Sequence, residues 1–109
     1  MKYMLLIHTP SDVEGSPEMY AEYGAFAEEV AKAGKMIAGD ELADAATATL
    51  VQVRNGERLV TDGPFAEARE QLGGYFIVEA NDHDEAVGLA AKIPGARVGT
   101  IEVRALHEH

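Results

Sequence analysis

Thr61-Asp62-Gly63-Pro64-Phe65-Ala66-Glu67-Ala68-Arg69-Glu70-Gln71-Leu72-Gly73-Gly74-Tyr75 divides the chain between a hairpin and the strand that must complete the main sheet. Pro64 has no N–H to give a ladder, and its fixed φ suits a first helical turn. The strand before it is therefore expected to stop at Thr61. Phe65 to Gln71 is expected to form one or two helical turns, and a new strand to begin at Gly74. The pair Gly73-Gly74 lacks the following lysine of a phosphate loop, and reads instead as a bulge or a close approach of another backbone.

Working outward, Lys2 to His8 reads as a strand. Tyr3, Leu5 and Ile7 alternate with Met4, Leu6 and His8, so both faces are largely apolar and burial on both sides is expected. After the polar loop Thr9 to Gly15, Ser16-Pro17-Glu18 opens a helix: serine caps, proline fits the first position, and the acid meets the positive dipole end. Met19, Tyr23, Phe26 and Val30 form its buried stripe, Glu28 and Lys32 pair on the wet side, and Gly34 ends it. Lys35 to Gly39 is a short strand turning at Gly39-Asp40-Glu41. Ala43 to Ala48 reads as loop.

Thr49 to Arg54 and Glu57 to Thr61 flank Asn55-Gly56, a two-residue hairpin turn in which both positions need positive φ. Beyond the dividing segment, Gly74 to Ala80 is a strand. Asp82 and Glu85 have capping-box spacing. Ala86, Leu89, Ala90 and Ile93 form a second helical stripe ended by Pro94-Gly95, and Gly99 to Leu106 is the last strand. The order strand, helix, strand, strand, helix, strand, with an inserted hairpin, is an α+β, ferredoxin-like split βαβ pattern. Two helices cover one face of such a sheet. The other face would be an exposed apolar patch, which predicts a homodimer.

The chain has 109 residues, so a single domain over 1–109 is expected. It has no cysteine, which removes disulfides and thiolate metal sites. Nine basic against nineteen acidic residues give a net charge of −10, which argues against phosphate backbones and thus nucleic acid as a partner. No apolar run approaches the roughly 20 residues of a membrane span, and the run after Met1 is too short for a signal-peptide core with a cleavage site. A cytoplasmic chain without a membrane partner is expected.

Asp62-Gly63-Pro64-Phe65, with Glu67, Arg69, Glu70, Gln71 and Gly73-Gly74, resembles the signature of the DGPF branch of the YCII-related proteins. The likeness extends to Lys2-Tyr3-Met4-Leu5-Leu6-Ile7, to Ala38-Gly39, to the Asp82–Pro94 helix and to Gly99-Thr100-Ile101-Glu102-Val103-Arg104. The resemblance implies a dimeric α+β barrel of two ferredoxin-like protomers. It does not decide whether the protein is an enzyme. Some such relatives are encoded beside, or fused to, sigma factors of the extracytoplasmic-function type, which implies an accessory, protein-contacting role as the alternative to small-molecule binding. A His-Asp pair has been suggested as catalytic in other YCII-related proteins. Tyr23 stands where its histidine would be, and a phenol with an ordinary pKa near 10 is no substitute base.

The candidate ligand-binding residues are His8, Asp62, Glu67, Arg69 and Glu70, around a small polar ligand in a cleft near the Asp62–Glu70 segment. Two carboxylates beside one guanidinium bind a polar group and tune a pKa; a surface ion network is the competing reading. Asp62 equally suits an Asx or N-cap role in its own turn. His8, at a strand end, is a base or ligand on one reading and a satisfied polar residue on the other. Tyr20, Tyr23 and Phe26 resemble an aromatic pocket lining, although Tyr23 and Phe26 fall on the core stripe, where packing is the default. No two histidines have metal-cage spacing, so neither metal nor cofactor is expected.

Overall fold

The computed structural model describes residues 1–65 and 69–108. In chain order they form β1 (Lys2–Pro10), α1 (Pro17–Lys32), β2 (Met36–Glu41), β3 (Thr49–Arg54), β4 (Glu57–Asp62), β5 (Glu70–Glu79), α2 (His83–Ala91) and β6 (Thr100–Ala105). Short 3₁₀ turns lie at Ala45–Thr47 and Pro94–Arg97. One sheet has the order β2-β5-β1-β6, with every pairing antiparallel, and β3 and β4 make a separate two-stranded sheet. This is the ferredoxin-like α+β arrangement: each helix links strands that are separated in the sheet by one other strand.

Local chemistry sets the helix ends. The Ser16 hydroxyl accepts from the Met19 N–H at 3.1 Å and Pro17 takes the first position of α1. Gly34, at φ +74°, follows its last turn, and Lys32 pairs with Glu28 at 3.0 Å along the wet side. The Asp82 carboxylate accepts from the Glu85 N–H at 2.8 Å to start α2. The return bond of the capping box is displaced by one residue: Glu85 accepts from the Asn81 N–H at 3.0 Å, and its carboxylate also receives Lys35 at 2.7 Å. Those donors, Lys35 first, hold the Glu85 carboxyl below its ordinary value.

The register places Tyr3, Leu5 and Ile7 opposite Val78, Phe76 and Gly74, and opposite Ala105, Val103 and Ile101 on the other side. This face receives Phe26 and Val30 from α1 and Ala86 and Ala90 from α2, which with Ile93 build the core. Burying a side chain the size of Phe26 contributes roughly 1.5–3 kcal/mol. The opposite face carries Met4, Leu6, Tyr75 and Ile77, all half-buried, and no helix among the described residues covers it.

Two irregularities shape the sheet. β1 and β5 slip register between Ile7 and His8, so Gly73 is the extra residue on β5. Gly74 follows it so close to β2 that a Cβ there would stand 2.9 Å from the Asp40 carbonyl oxygen. The double glycine is thus both a bulge and a close approach. The second slip makes Ile37 the extra residue of β2, between Met36 and Ala38.

Three expectations need correction. β2 runs on through Gly39, Asp40 and Glu41, where a turn was expected, because β5 offers Phe76, Tyr75 and Gly74 as ladder partners. Glu70 and Gln71 are strand, not helix: β1 extends to Pro10 and pairs Pro10 with Glu70 and Thr9 with Gln71. The alanine-rich loop contains a 3₁₀ turn, because the Asp44 side chain caps it by accepting from the Ala46 N–H at 2.9 Å. The hairpin turn is as read, with Asn55 at φ +52° and Gly56 at φ +78°.

Candidate functional site

A cleft opens between the first half of α1 and the ends of β1, β2 and β5. Its volume is about 660 Å³, and it is open on one side, within the size range of small-molecule sites. One wall is α1, which presents Met19, Tyr20 and Tyr23 at spacings that share a helix face. The floor is Phe76 and the glycine backbone of β5. The edge strand β2 supplies Glu41, followed by Leu42.

The β2 bulge decides what faces the cleft. With Ile37 as the extra residue, Gly39 and Glu41 pair with Phe76 and Gly74 on the helix side, while Asp40 pairs with Tyr75 and turns the other way. The Tyr20 hydroxyl donates to Glu41 Oε1 at 3.2 Å. The Tyr23 and Phe76 rings are 6.4 Å apart and inclined by 25°, and Phe26 meets Phe76 at 5.1 Å, which joins the cleft wall to the core. Gly95 closes the inner end: a Cβ there would lie 2.5 Å from the Tyr23 hydroxyl.

Both phenols are held in the neutral, hydrogen-donating form. Proximity of the Glu41 carboxylate raises the Tyr20 pKa above 10.0, helped by their hydrogen bond. Burial raises that of Tyr23, against an opposing hydrogen bond from the Gly95 backbone. Neither is a base at neutral pH. The site can hold an apolar or aromatic body, donate from two hydroxyls and accept at carboxylates.

The structure places the sequence-derived candidates elsewhere. His8 lies on the uncovered sheet face, its Nε2 3.0 Å from Glu102 Oε1. Asp62 is exposed at the base of the hairpin, opposite Thr49. Arg69 is exposed, and Glu70 is half-buried at the start of β5. Glu67 lies outside the described residues. None of His8, Asp62, Arg69 and Glu70 is among the described residues that line the cleft, whereas Gln71, the next residue along, is. Sequence reasoning passed over Glu41 because it was assigned to a turn. The available signal was Tyr20, an aromatic residue off the core stripe of α1. Among the described residues no group of three or more potential ligands is arranged to hold a metal ion, and no helix is long and apolar enough to cross a membrane.

Comparison with known proteins agrees with this architecture. One structural neighbour is a 5-chloro-2-hydroxyhydroquinone dehydrochlorinase from Burkholderia phenoliruptrix AC1100, solved in complex with 2,5-dihydroxybenzoquinone. It superposes with a TM-score of 0.62 over 100% of this chain and 96% of that one, at 16% identity, a likeness of fold. An uncharacterised protein of Rhizobium meliloti (strain 1021) is 30% identical over 97% of this chain and 92% of its own length. The model of the YCII-related domain matches residues 1–109, and the chain belongs to that family.

Proposed function

We propose that this protein is a small-molecule-binding protein, or a small enzyme, whose ligand occupies the cleft between α1 and the β2–β5 edge. The observation that carries the reading is the cleft itself, about 660 Å³ walled by Tyr20, Tyr23 and Phe76 beside the Glu41 carboxylate. A mostly apolar concavity with a few convergent polar groups is the usual form of a ligand site. The dehydrochlorinase of like fold was solved with 2,5-dihydroxybenzoquinone, a small cyclic ligand, which supports the same use of the scaffold. With Tyr23 in place of a histidine, a reaction here draws on hydroxyl donors and a carboxylate, not on imidazole.

The chain is read as one domain of the DGPF branch, working in the cytoplasm as a homodimer. Half-buried Met4, Leu6, Tyr75 and Ile77 on the uncovered sheet face and exposed Val51, Val53 and Val60 on the hairpin support a second copy as partner. His8, Asp62, Glu67, Arg69 and Glu70 are kept as a second group of ligand-contact candidates. The test is a thermal-shift screen of metabolites on the wild type, on Leu42→Trp, which fills the cleft mouth, and on Arg69→Ala. A shift lost in Leu42→Trp and kept in Arg69→Ala supports the cleft. The reverse pattern moves the site to the Asp62–Glu70 segment.

A further inference from the structure

We propose that the cleft selects an organic cation, an amine or quaternary ammonium group on an apolar body, with the Glu41 carboxylate as its counter-charge. The inference rests on the cleft being the ligand site and concerns which charge it admits. Its described lining contains Asp40, Glu41 and Asp44 and no lysine, arginine or histidine. The Asp40 carboxylate is turned to the other face beside the Tyr75 hydroxyl, which leaves Glu41 and Asp44 as the charges of the cleft. Asp12 and Glu14 are exposed on the loop that borders the mouth, and a cleft lined by one sign of charge concentrates the field it presents. Arg97 stands near Tyr23, but its guanidinium is held by Glu22 at 2.6 Å. The positive end of α1 is already met by the Ser16 hydroxyl and by Glu18 in the first turn. An anionic ligand would therefore lose its hydration and meet carboxylates without a cation of the site to compensate it.

A cation finds the opposite. Glu41 uses Oε1 to accept from Tyr20, and a carboxylate has lone pairs to spare beyond one such bond. Tyr20, Tyr23 and Phe76 line the same space, and aromatic faces attract an ammonium group through their quadrupole. The carboxylates alone would not make a site; the cavity and its rings hold the ligand body, and the carboxylate sorts the charge.

The experiment is calorimetric titration of the wild-type chain with three probes of one shape: 3-phenylpropylamine, 3-phenylpropan-1-ol and 3-phenylpropionate. The expected order is amine tightest, by about tenfold over the alcohol, with the carboxylate weakest. Glu41→Gln, which keeps the shape, should bring amine and alcohol within about threefold. The amine's affinity, unlike the alcohol's, should also fall as salt rises from about 20 to about 500 mM, a readout that needs no variant. Leu42→Trp locates the event by weakening all three. If the carboxylate binds as well as the amine and Leu42→Trp weakens both, the charge inference is overturned and the cleft stands. If Leu42→Trp leaves every probe unaffected, or none binds, the cleft reading fails and the inference with it.

Discussion

In β1, Tyr3, Leu5 and Ile7 are 4%, 0% and 7% exposed, while in β3, Val51 and Val53 are 59% and 61% exposed. Both strands present a row of alternate apolar residues on one face, and both pair antiparallel, β1 in unbroken register with β5 from Lys2 to Ile7. The difference lies in what covers them. Two helices lie over the first, and among the described residues nothing comparable lies over the second. An isolated two-stranded hairpin is marginal in water. Alternation thus records that a face is meant to be covered without saying by what, and the hairpin's cover is best sought in another molecule.

The largest effect that would break this contrast belongs to the covered face. Phe26→Ala should cost about 3–5 kcal/mol in denaturant melts; a loss under about 1 kcal/mol would mean that α1 does not seal the sheet. Gly74→Ala should cost about 1–3 kcal/mol, because its methyl group would press on the Asp40 carbonyl of the neighbouring strand β2. Asp82→Ala removes the cap of α2 and should cost about 1 kcal/mol by the same melts.

On the hairpin, Val51→Lys should change protomer stability by no more than about 0.5 kcal/mol. If a second copy covers the hairpin, the same change should lower the mass seen by light scattering at micromolar concentration. A wild type that is already monomeric there would remove the second copy from the account. The smallest effect is one of pH. The Glu85 carboxyl titrates below its ordinary 4.5, so its contribution to stability is complete above that value and is lost as pH falls through the lower folded value. Glu85→Gln should therefore flatten the acid limb of the stability curve and leave its slope near neutrality unchanged.

What could be read in the sequence was what neighbours along the chain decide. Ser16-Pro17, Gly34, Asn55-Gly56 and Asp82 each act within one turn of their own position, and each does so in the structure. The apolar stripes gave the core because one helical face is a local property. The two bulges are not local. Ile37 and Gly73 become extra residues only because β5 meets β2 on one side and β1 on the other. The extension of β2, the strand conformation of Glu70 and Gln71 and the inward turn of Glu41 all follow from that pairing. The partnership of Tyr20 with Glu41, 21 residues apart, follows too. Charge density around Arg69 was plain to read, but charge density marks exposed surface as readily as a site.

The most direct test of the central claim, that the cleft and not the Asp62–Glu70 segment receives the ligand, is a crystal structure with the compound giving the largest thermal shift. The account predicts density between α1 and β5, against Tyr23 and Phe76 and within hydrogen-bonding reach of Glu41. Density against Asp62 and Arg69, with the cleft empty, would contradict it.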